Sequence, residues 1–224
     1  MIRNFGWNEF LILLRATEWT ILLSLISFAG GGALGFLVAL ARTAKHKTLR
    51  WLAIVYIELM QATPVLMVLF LVFYGLGLFG FDIPPLIAAS IALIVYCGAF
   101  LGDIWRGCIE AIPKQQWEAS EALAFSRWQQ LRYVILPQAA KISLPPTVGF
   151  LVQVVKTTSI ASIIGMVELT QAGRFVNNAT FQPFKVFAAV ALIYFVLCYP
   201  LSLWSQALKP IEHGFPAFEH VYRL

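Results

Sequence analysis

The chain has 224 residues, of which 60% are hydrophobic and 12% are charged, and its mean hydropathy is +0.79. Soluble domains carry about 25% charged residues, so this composition excludes an ordinary soluble domain and indicates an integral membrane protein. In such a protein the net charge of +5 reports on topology and does not predict nucleic acid as a partner. The three cysteines show no CxxC or metal-ligand spacing, so we predict packing roles and no metal site.

The long apolar stretches predict an all-α integral membrane protein with five transmembrane helices. We place these helices at residues 19–41, 51–77, 86–105, 147–167 and 187–208. Residues 1–18 precede them as an N-terminal segment with one apolar side, which suggests a short interfacial helix. Residues 209–224 follow as a polar tail, so the transmembrane domain is predicted to cover residues 19–208.

Glycines, prolines and polar residues subdivide this transmembrane domain. Gly30 to Gly32 and Gly35 in the first span would let another helix approach closely. Thr63-Pro64 in the second span and Pro200 in the fifth predict kinks that neighbouring helices can absorb. Residues 79–85 and 168–185 are predicted to be loops, and Pro145-Pro146 is expected just before the fourth span.

Basic residues are distributed unevenly over the two sides of the membrane. Only four of the 16 Lys and Arg residues fall on the side of the N-terminus, namely Arg3, Arg15, Arg174 and Lys185. Most of the others lie after the first span, around residues 110–137 or in the tail. The positive-inside rule therefore predicts a periplasmic N-terminus, a cytoplasmic C-terminus and a cytoplasmic loop between helices 3 and 4.

Residues 110–137, the polar segment, combine many charges with good helix formers and are bracketed by Pro113 and Pro137. Small residues would allow another protein to approach closely, and large apolar side chains would serve as anchors. The small residues are Ala119, Ala122 and Ala124, and the large apolar side chains are those of Trp117, Phe125, Trp128 and Leu131. The alternative is an amphipathic helix on the membrane surface, but acidic Glu118 and Glu121 suit anionic lipid poorly.

Two parts of the polar segment resemble a known family. Glu118-Ala119-Ser120, followed at the family's distance by Ile135-Leu136-Pro137, is similar to the EAA loop in permease subunits of ATP-binding-cassette (ABC) importers. Ser120 replaces the third residue of that motif, and Ala124 replaces its glycine. In the family this loop forms coupling helices that dock in a groove of the ATPase subunit.

Further stretches resemble the polar amino-acid branch of the family, the histidine, glutamine and glutamate type. They follow the order of that branch's motifs and extend the resemblance over about residues 19–208, although Gln61-Ala62 replaces the usual Arg-Gly. The matching stretches are Tyr56 to Pro64, Asp103 to Gly107, Ile112 to Lys114, Lys156 to Ser159 and residues 163–171.

The resemblance implies a type I ABC importer permease in the bacterial inner membrane that moves a polar amino acid by alternating access. It implies two ABC ATPase subunits that carry ATP and Mg, a second permease of the same or a similar sequence, and a periplasmic or lipoprotein substrate-binding protein. It also implies that the motif residues contact the ATPase, namely Glu118, Ala119, Ser120, Ala124, Ser126, Arg127 and Pro137.

Polar residues within the fourth span are candidates for a substrate pathway. Lys156 lies about 14 Å into the span, where a charge is costly and usually functional. Gln153 and Ser159 share its helix face, and hydroxyl groups follow. The candidate set is Thr63, Gln153, Lys156, Thr157, Thr158, Ser159 and Ser162. Lys156 would bind a substrate carboxylate or, equally well, pair with Glu58 or an acid of another subunit.

Other charged residues near the spans are predicted to form structural ion pairs. We favour a pair of Glu58 with Arg106, and a pair of Asp103 with Arg106 at the end of the third span. The chain has no P-loop motif and no nucleophile–base pair, which argues against ATP binding or an enzyme. The competing hypothesis is a free-standing secondary carrier or channel, although no inverted repeat is visible.

Overall fold

The computed structural model describes residues 4–44 and 46–208, and all regular structure in them is helical. These described residues form nine α-helices, with a π-helix at Gln130–Ile135 directly before the seventh and a 3₁₀-helix at Thr158–Ile164 directly after it. The α-helices are α1 (Trp7–Thr43), α2 (Lys47–Ala62), α3 (Val65–Leu78), α4 (Pro85–Glu110), α5 (Lys114–Ala122), α6 (Arg127–Gln129), α7 (Leu136–Thr157), α8 (Leu169–Thr180) and α9 (Pro183–Ala207).

The described residues contain four helices long and apolar enough to cross a membrane, or up to five if one bent pair is a single span. The bent pair is α2 and α3, whose axes meet at 102° at Thr63-Pro64. Proline lacks an N–H and disfavours helix in the preceding residue, so the chain breaks there. The predicted kink at this position is confirmed, whereas the five-span count and the orientation in the membrane remain predictions.

Helix α1 packs against α4 through glycines on both helices. A methyl group added at Gly31 would lie 2.4 Å from Cys97 Cβ, and one at Gly35 would lie 2.9 Å from the backbone nitrogen of Gly102. Gly31 and Gly35 are four residues apart on α1, and Gly98 and Gly102 are four residues apart on α4. The two backbones therefore approach each other over a full helical turn. The predicted close approach at the α1 glycines is confirmed.

Residues 7–18 do not form a separate interfacial helix but are the first third of α1. Their inner side is buried, with Leu13 and Ala16 packed against Leu169 and Val176 of α8 and Val186 of α9. The prediction missed this because the charged residues of this stretch interrupt its hydrophobicity without interrupting its helical periodicity. The division of the chain at residue 19 remains a prediction about the membrane boundary.

The predicted loop at residues 168–185 is wrong, because most of it is helix α8. Leu169, Ala172 and Val176 recur at helical spacing and bury their side chains, which outweighs the weak helix propensity of the neighbouring asparagines. Gly173 lies on the same side, and a methyl group there would stand 2.8 Å from a methyl group of Val190 on α9. This segment therefore packs against the bundle.

The helix that carries the predicted fourth span begins before residue 147, because α7 starts at Leu136 and contains Pro145 and Pro146, while the membrane boundary at residue 147 remains a prediction. The two prolines each remove a hydrogen bond from the helix. The hydroxyl of Ser205 on α9 donates to the carbonyl oxygen of Pro145 at 2.9 Å, so a neighbouring helix supports this part of α7. Cys97, Cys108 and Cys198 are free and buried, as expected for packing residues.

Candidate functional site

The polar segment folds as two short helices, α5 and α6, that lead through the π-helix into α7. Pro113 and Pro137 bracket these elements as predicted. An apolar cluster lies beneath them, and we call it the base cluster. It joins the end of α4 to the π-helix and α7 through Ile109, Ile112, Leu131, Ile135 and Ala139, with Trp117 packed against it.

Ala124 adopts a left-handed backbone conformation, with φ of 58°. The N–H of Ala124 donates to the carbonyl of Glu121 at 2.8 Å, and the N–H of Phe125 donates to that of Ser120 at 3.2 Å. This pair of bonds defines a Schellman motif, in which glycine usually occupies the left-handed position. The alanine therefore makes the same turn that a glycine would make there, at the cost of crowding its Cβ.

The predicted coupling residues divide between surface and interior. Glu118, Ala119 and Ala124 are exposed, as are Ser126, Arg127 and Pro137. Ser120, in contrast, is only 2% exposed, and its hydroxyl donates to the carbonyl of Trp117 at 2.8 Å. Ser120 therefore stabilises α5 from its inner side within this chain. Whether the exposed residues contact an ATPase remains a prediction.

Ser126 begins the second short helix with a capping box. Its hydroxyl accepts from the N–H of Gln129 at 3.4 Å, and its own N–H donates to the side-chain oxygen of Gln129 at 2.8 Å. Arg127 directly follows, and its guanidinium carbon lies 4.1 Å from the centre of the Trp117 ring. The second helix is thereby fixed at its start and stacked on the first.

The π-helix leads into Pro137. The N–H of Leu136 donates to the carbonyl of Leu131, five residues back, so the helix is wider here than an α-helix. Pro137 has no N–H, and in an α-helix its ring would crowd the carbonyl of Tyr133. The wider turn removes that clash, which gives a local physical reason for the π-helix at this position.

The candidate residues of the substrate pathway do not converge on one point in this chain. Gln153 and Lys156 are exposed on α7. Lys156 lines a groove of about 320 Å³ between α7 and α9, together with Tyr194, Tyr199 and Ser202. The groove thus places Lys156 beside the polar residues Tyr199 and Ser202 in a lining that is otherwise largely apolar.

The hydroxyl groups of the other pathway candidates are occupied by backbone carbonyls. Each donates to a carbonyl oxygen three or four residues earlier, at distances between 2.7 and 2.9 Å, in Thr63, Thr157, Thr158, Ser159 and Ser162. The α-helix tightens to a 3₁₀-helix at Thr158. The segment after Thr63-Pro64 packs against this 3₁₀-helix through Val68 and Leu69.

Arg106 forms ion pairs with Asp103 at 2.9 Å and Glu110 at 2.5 Å, both on its own helix. The predicted pair of Asp103 and Arg106 is confirmed. The favoured pair of Glu58 with Arg106 is wrong, because one turn of helix brings two nearer carboxylates. Among the described residues, neither Glu58 nor Lys156 lies within 4.0 Å of an opposite charge.

Glu168 is a buried carboxylate that we did not single out from the sequence. It is fully buried and caps α8, where it accepts from the N–H groups of Thr170 at 3.0 Å and Gln171 at 2.9 Å. The hydroxyls of Tyr194 on α9, at 3.0 Å, and Thr20 on α1, at 3.5 Å, also donate to it.

Glu168 lies between the candidate membrane spans, and burial raises the pKa of its carboxyl above the ordinary value. The hydrogen bonds from Thr170, Gln171 and Tyr194 act in the opposite direction. The signal in the sequence was weak, because glutamate is not among the residues that usually cap the start of a helix. The carboxylate connects three helices and is structural.

Comparison with known protein families decides what kind of membrane protein this is. Residues 31–210 match the family described as the binding-protein-dependent transport system inner membrane component. The chain belongs to this family. The permease is therefore a multi-pass component of the inner membrane, as predicted.

Individual relatives agree with this assignment. The permease is 32% identical to a probable amino-acid ABC transporter permease of Bacillus subtilis, over 90% of this chain and 89% of the relative. It is also 32% identical to the glutamine transport system permease of Escherichia coli, with 91% and 94% covered. Among solved structures, an amino acid ABC transporter with histidines matches with a TM-score of 0.84 and 30% identity, covering 88% of this chain and 92% of that one. The permease thus has the predicted ABC importer permease fold.

Proposed function

We propose that this permease moves a polar amino acid across the inner membrane and is driven by ATPase subunits that bind its polar segment. The observation that carries the proposal is the fold of residues 114–129, two short helices joined by a left-handed turn between transmembrane helices α4 and α7. Glu118 and Ala119 are exposed on the first of these helices. The named functions of the relatives, amino-acid and glutamine transport, support the substrate class.

In the proposed mechanism, two ATPase subunits hold ATP and Mg, and their closure moves the polar segments of a pair of permeases. The base cluster would transmit this movement, because it packs residues of α4, the π-helix and α7 against one another. Close packing makes such a cluster resist deformation. A substrate-binding protein would deliver the amino acid on the opposite side of the membrane, and rocking of the permeases would expose the pathway to each side in turn.

We further propose that the exposed polar side of α7 faces this pathway. Lys156 is a cation at membrane depth on the surface of the isolated chain, and lipid is an unfavourable environment for it. A substrate carboxylate in the groove beside Tyr199 and Ser202 would satisfy the ammonium group. Gln153 lies one turn away, while the remaining candidates, with their hydroxyls bonded to the backbone, would shape the pathway.

Reversal of the charge at Glu118 tests the coupling surface. The permease would be expressed with its ATPase, binding protein and partner permease, and purified complex would be assayed for ATPase recovery and amino-acid uptake in proteoliposomes. Glu118→Arg is expected to abolish ATPase recovery or uptake, because it reverses the charge of an exposed docking residue. Glu121→Arg is the matched control, since Glu121 is exposed on the same helix and lies outside the motif. Normal assembly and uptake in Glu118→Arg would contradict the proposal.

The role of Lys156 has its own test, the affinity of the complex for its amino acid. Lys156→Met is expected to weaken substrate binding in the membrane at least tenfold, and Lys156→Arg is expected to restore part of it by returning the positive charge. If Lys156→Met dissociates the two permeases and leaves the affinity of the remaining complex unchanged, Lys156 pairs with a partner's acid instead.

A further inference from the structure

The contact between Trp117 and Arg127 is the feature of the polar segment that its sequence motif does not explain. Trp117 belongs to α5 and Arg127 to α6, and the guanidinium carbon stands 4.1 Å from the ring centre. This distance is well inside the range of a cation–π contact. The stack therefore joins two side chains that lie ten positions apart, on either side of the left-handed turn at Ala124.

Trp117 is held from a second side, because its ring packs against the base cluster. The ring is half-buried, whereas Arg127 is exposed. One indole thus connects α6 to the apolar residues that join α4 to α7. Helix α6 also continues directly into the π-helix, which supplies Leu131 and Ile135 to the base cluster, so the stack on Trp117 adds a side-chain contact from α6 to α5.

We propose that Arg127 and Trp117 act as a clamp that fixes the angle between the two short helices and so couples ATP hydrolysis to transport. Arg127 is then a positioning residue, which acts through Trp117, and its main role is within this chain. The inference deepens the proposed function and rests on it, because a rigid polar segment matters only if an ATPase pushes on it.

The charge arrangement around Arg127 supports this role. No described carboxylate lies within 4.0 Å of its guanidinium, and the ring occupies one of its faces. Guanidinium stacks on aromatic rings better than ammonium does, because it is planar and weakly hydrated. An exposed cation–π contact shifts the population of the clamped arrangement about two- to fivefold.

The test uses the complete transporter in proteoliposomes and measures ATP hydrolysed per amino acid transported, together with ATPase recovery. Arg127→Gln and Trp117→Leu are each expected to raise that ratio about two- to fivefold while assembly is retained. The double variant is expected to be no worse than Trp117→Leu alone, because Arg127→Gln removes only the contact that is already lost with the ring. Trp117→Phe, which keeps a ring, is expected to retain most of the coupling.

Arg132→Gln is the matched charge control. Arg132 is another exposed arginine of the polar segment, and its guanidinium lies 5.9 Å from the ring of the adjacent Tyr133. Its removal is expected to leave the ratio unchanged. Additive effects in the double variant would overturn the clamp, as would loss of ATPase recovery in Arg127→Gln alone, which would make Arg127 a docking residue. Failure of the proposed function would appear separately, as normal assembly and uptake in Glu118→Arg.

Discussion

The left-handed turn at Ala124 yields a prediction whose magnitude follows from the backbone. A residue with a Cβ pays roughly 1–2 kcal/mol for this conformation, which glycine adopts freely. Ala124→Gly therefore relieves this strain, but glycine also makes the unfolded chain more flexible, which offsets about 0.4–1 kcal/mol of the stabilisation. We therefore expect the turn to be stabilised by about 0.5–1 kcal/mol, which is about a two- to fivefold smaller open population.

Hydrogen exchange of the permease in nanodiscs measures this population directly. The amides of Ala124 and Phe125 donate the two bonds of the turn, so peptides covering residues 120–130 should exchange about two- to fivefold more slowly in Ala124→Gly. Ala122→Gly is the matched control: it lies in the last turn of α5, and its exchange should become faster because glycine weakens a helix by about 1 kcal/mol. Equal or faster exchange in Ala124→Gly would refute the argument that Cβ crowding strains the turn.

Two other positions give predictions about the stability of the purified permease. Gly31→Val should lower the unfolding temperature sharply, because even a methyl group at this position would lie 2.4 Å from Cys97 Cβ. Such overpacking costs about 1–3 kcal/mol or more of the free energy of unfolding. Gly77→Val is the control, since a methyl group at Gly77 would have nothing within 4 Å. Glu168→Leu should cost at least about 3 kcal/mol, because several buried donors lose their acceptor. Tyr194→Phe should lower the free energy of unfolding by only about 1 kcal/mol. Equal losses in Tyr194→Phe and Glu168→Leu would contradict the role of Glu168 as the shared acceptor.

The features of the fold that could be predicted from sequence are those with a local cause. Thr63-Pro64 breaks a helix because of its own covalent structure, and glycines spaced by four allow helices to approach. Charge and proline positions likewise predicted where the polar segment begins and ends. The segment's left-handed turn was within reach too, since the family motif marks that position with glycine.

What could not be predicted depends on contacts between distant parts of the chain. Glu168 binds Thr20, 148 residues away, so its donors cannot be read from its neighbours in sequence. Helix α8 was missed because its asparagines suggested a loop, while its buried side depends on α1 and α9. Ser120 belongs to the family motif, which predicts the position but not the direction of the side chain.

The arrangement of α7 links the two candidate regions physically. The base cluster contacts its first turn, and Lys156 lies 20 residues further along, or about 30 Å at the rise of an α-helix. A tilt of this helix would therefore move the coupling surface and the polar side together. Pro145-Pro146 interrupts the hydrogen bonds between them, so the movement reaches Lys156 only if this part of the helix stays stiff. The hydrogen bond from the Ser205 hydroxyl to the carbonyl oxygen of Pro145 lets α9 support this part of α7. Transmission along the proposed route therefore needs both α7 and α9.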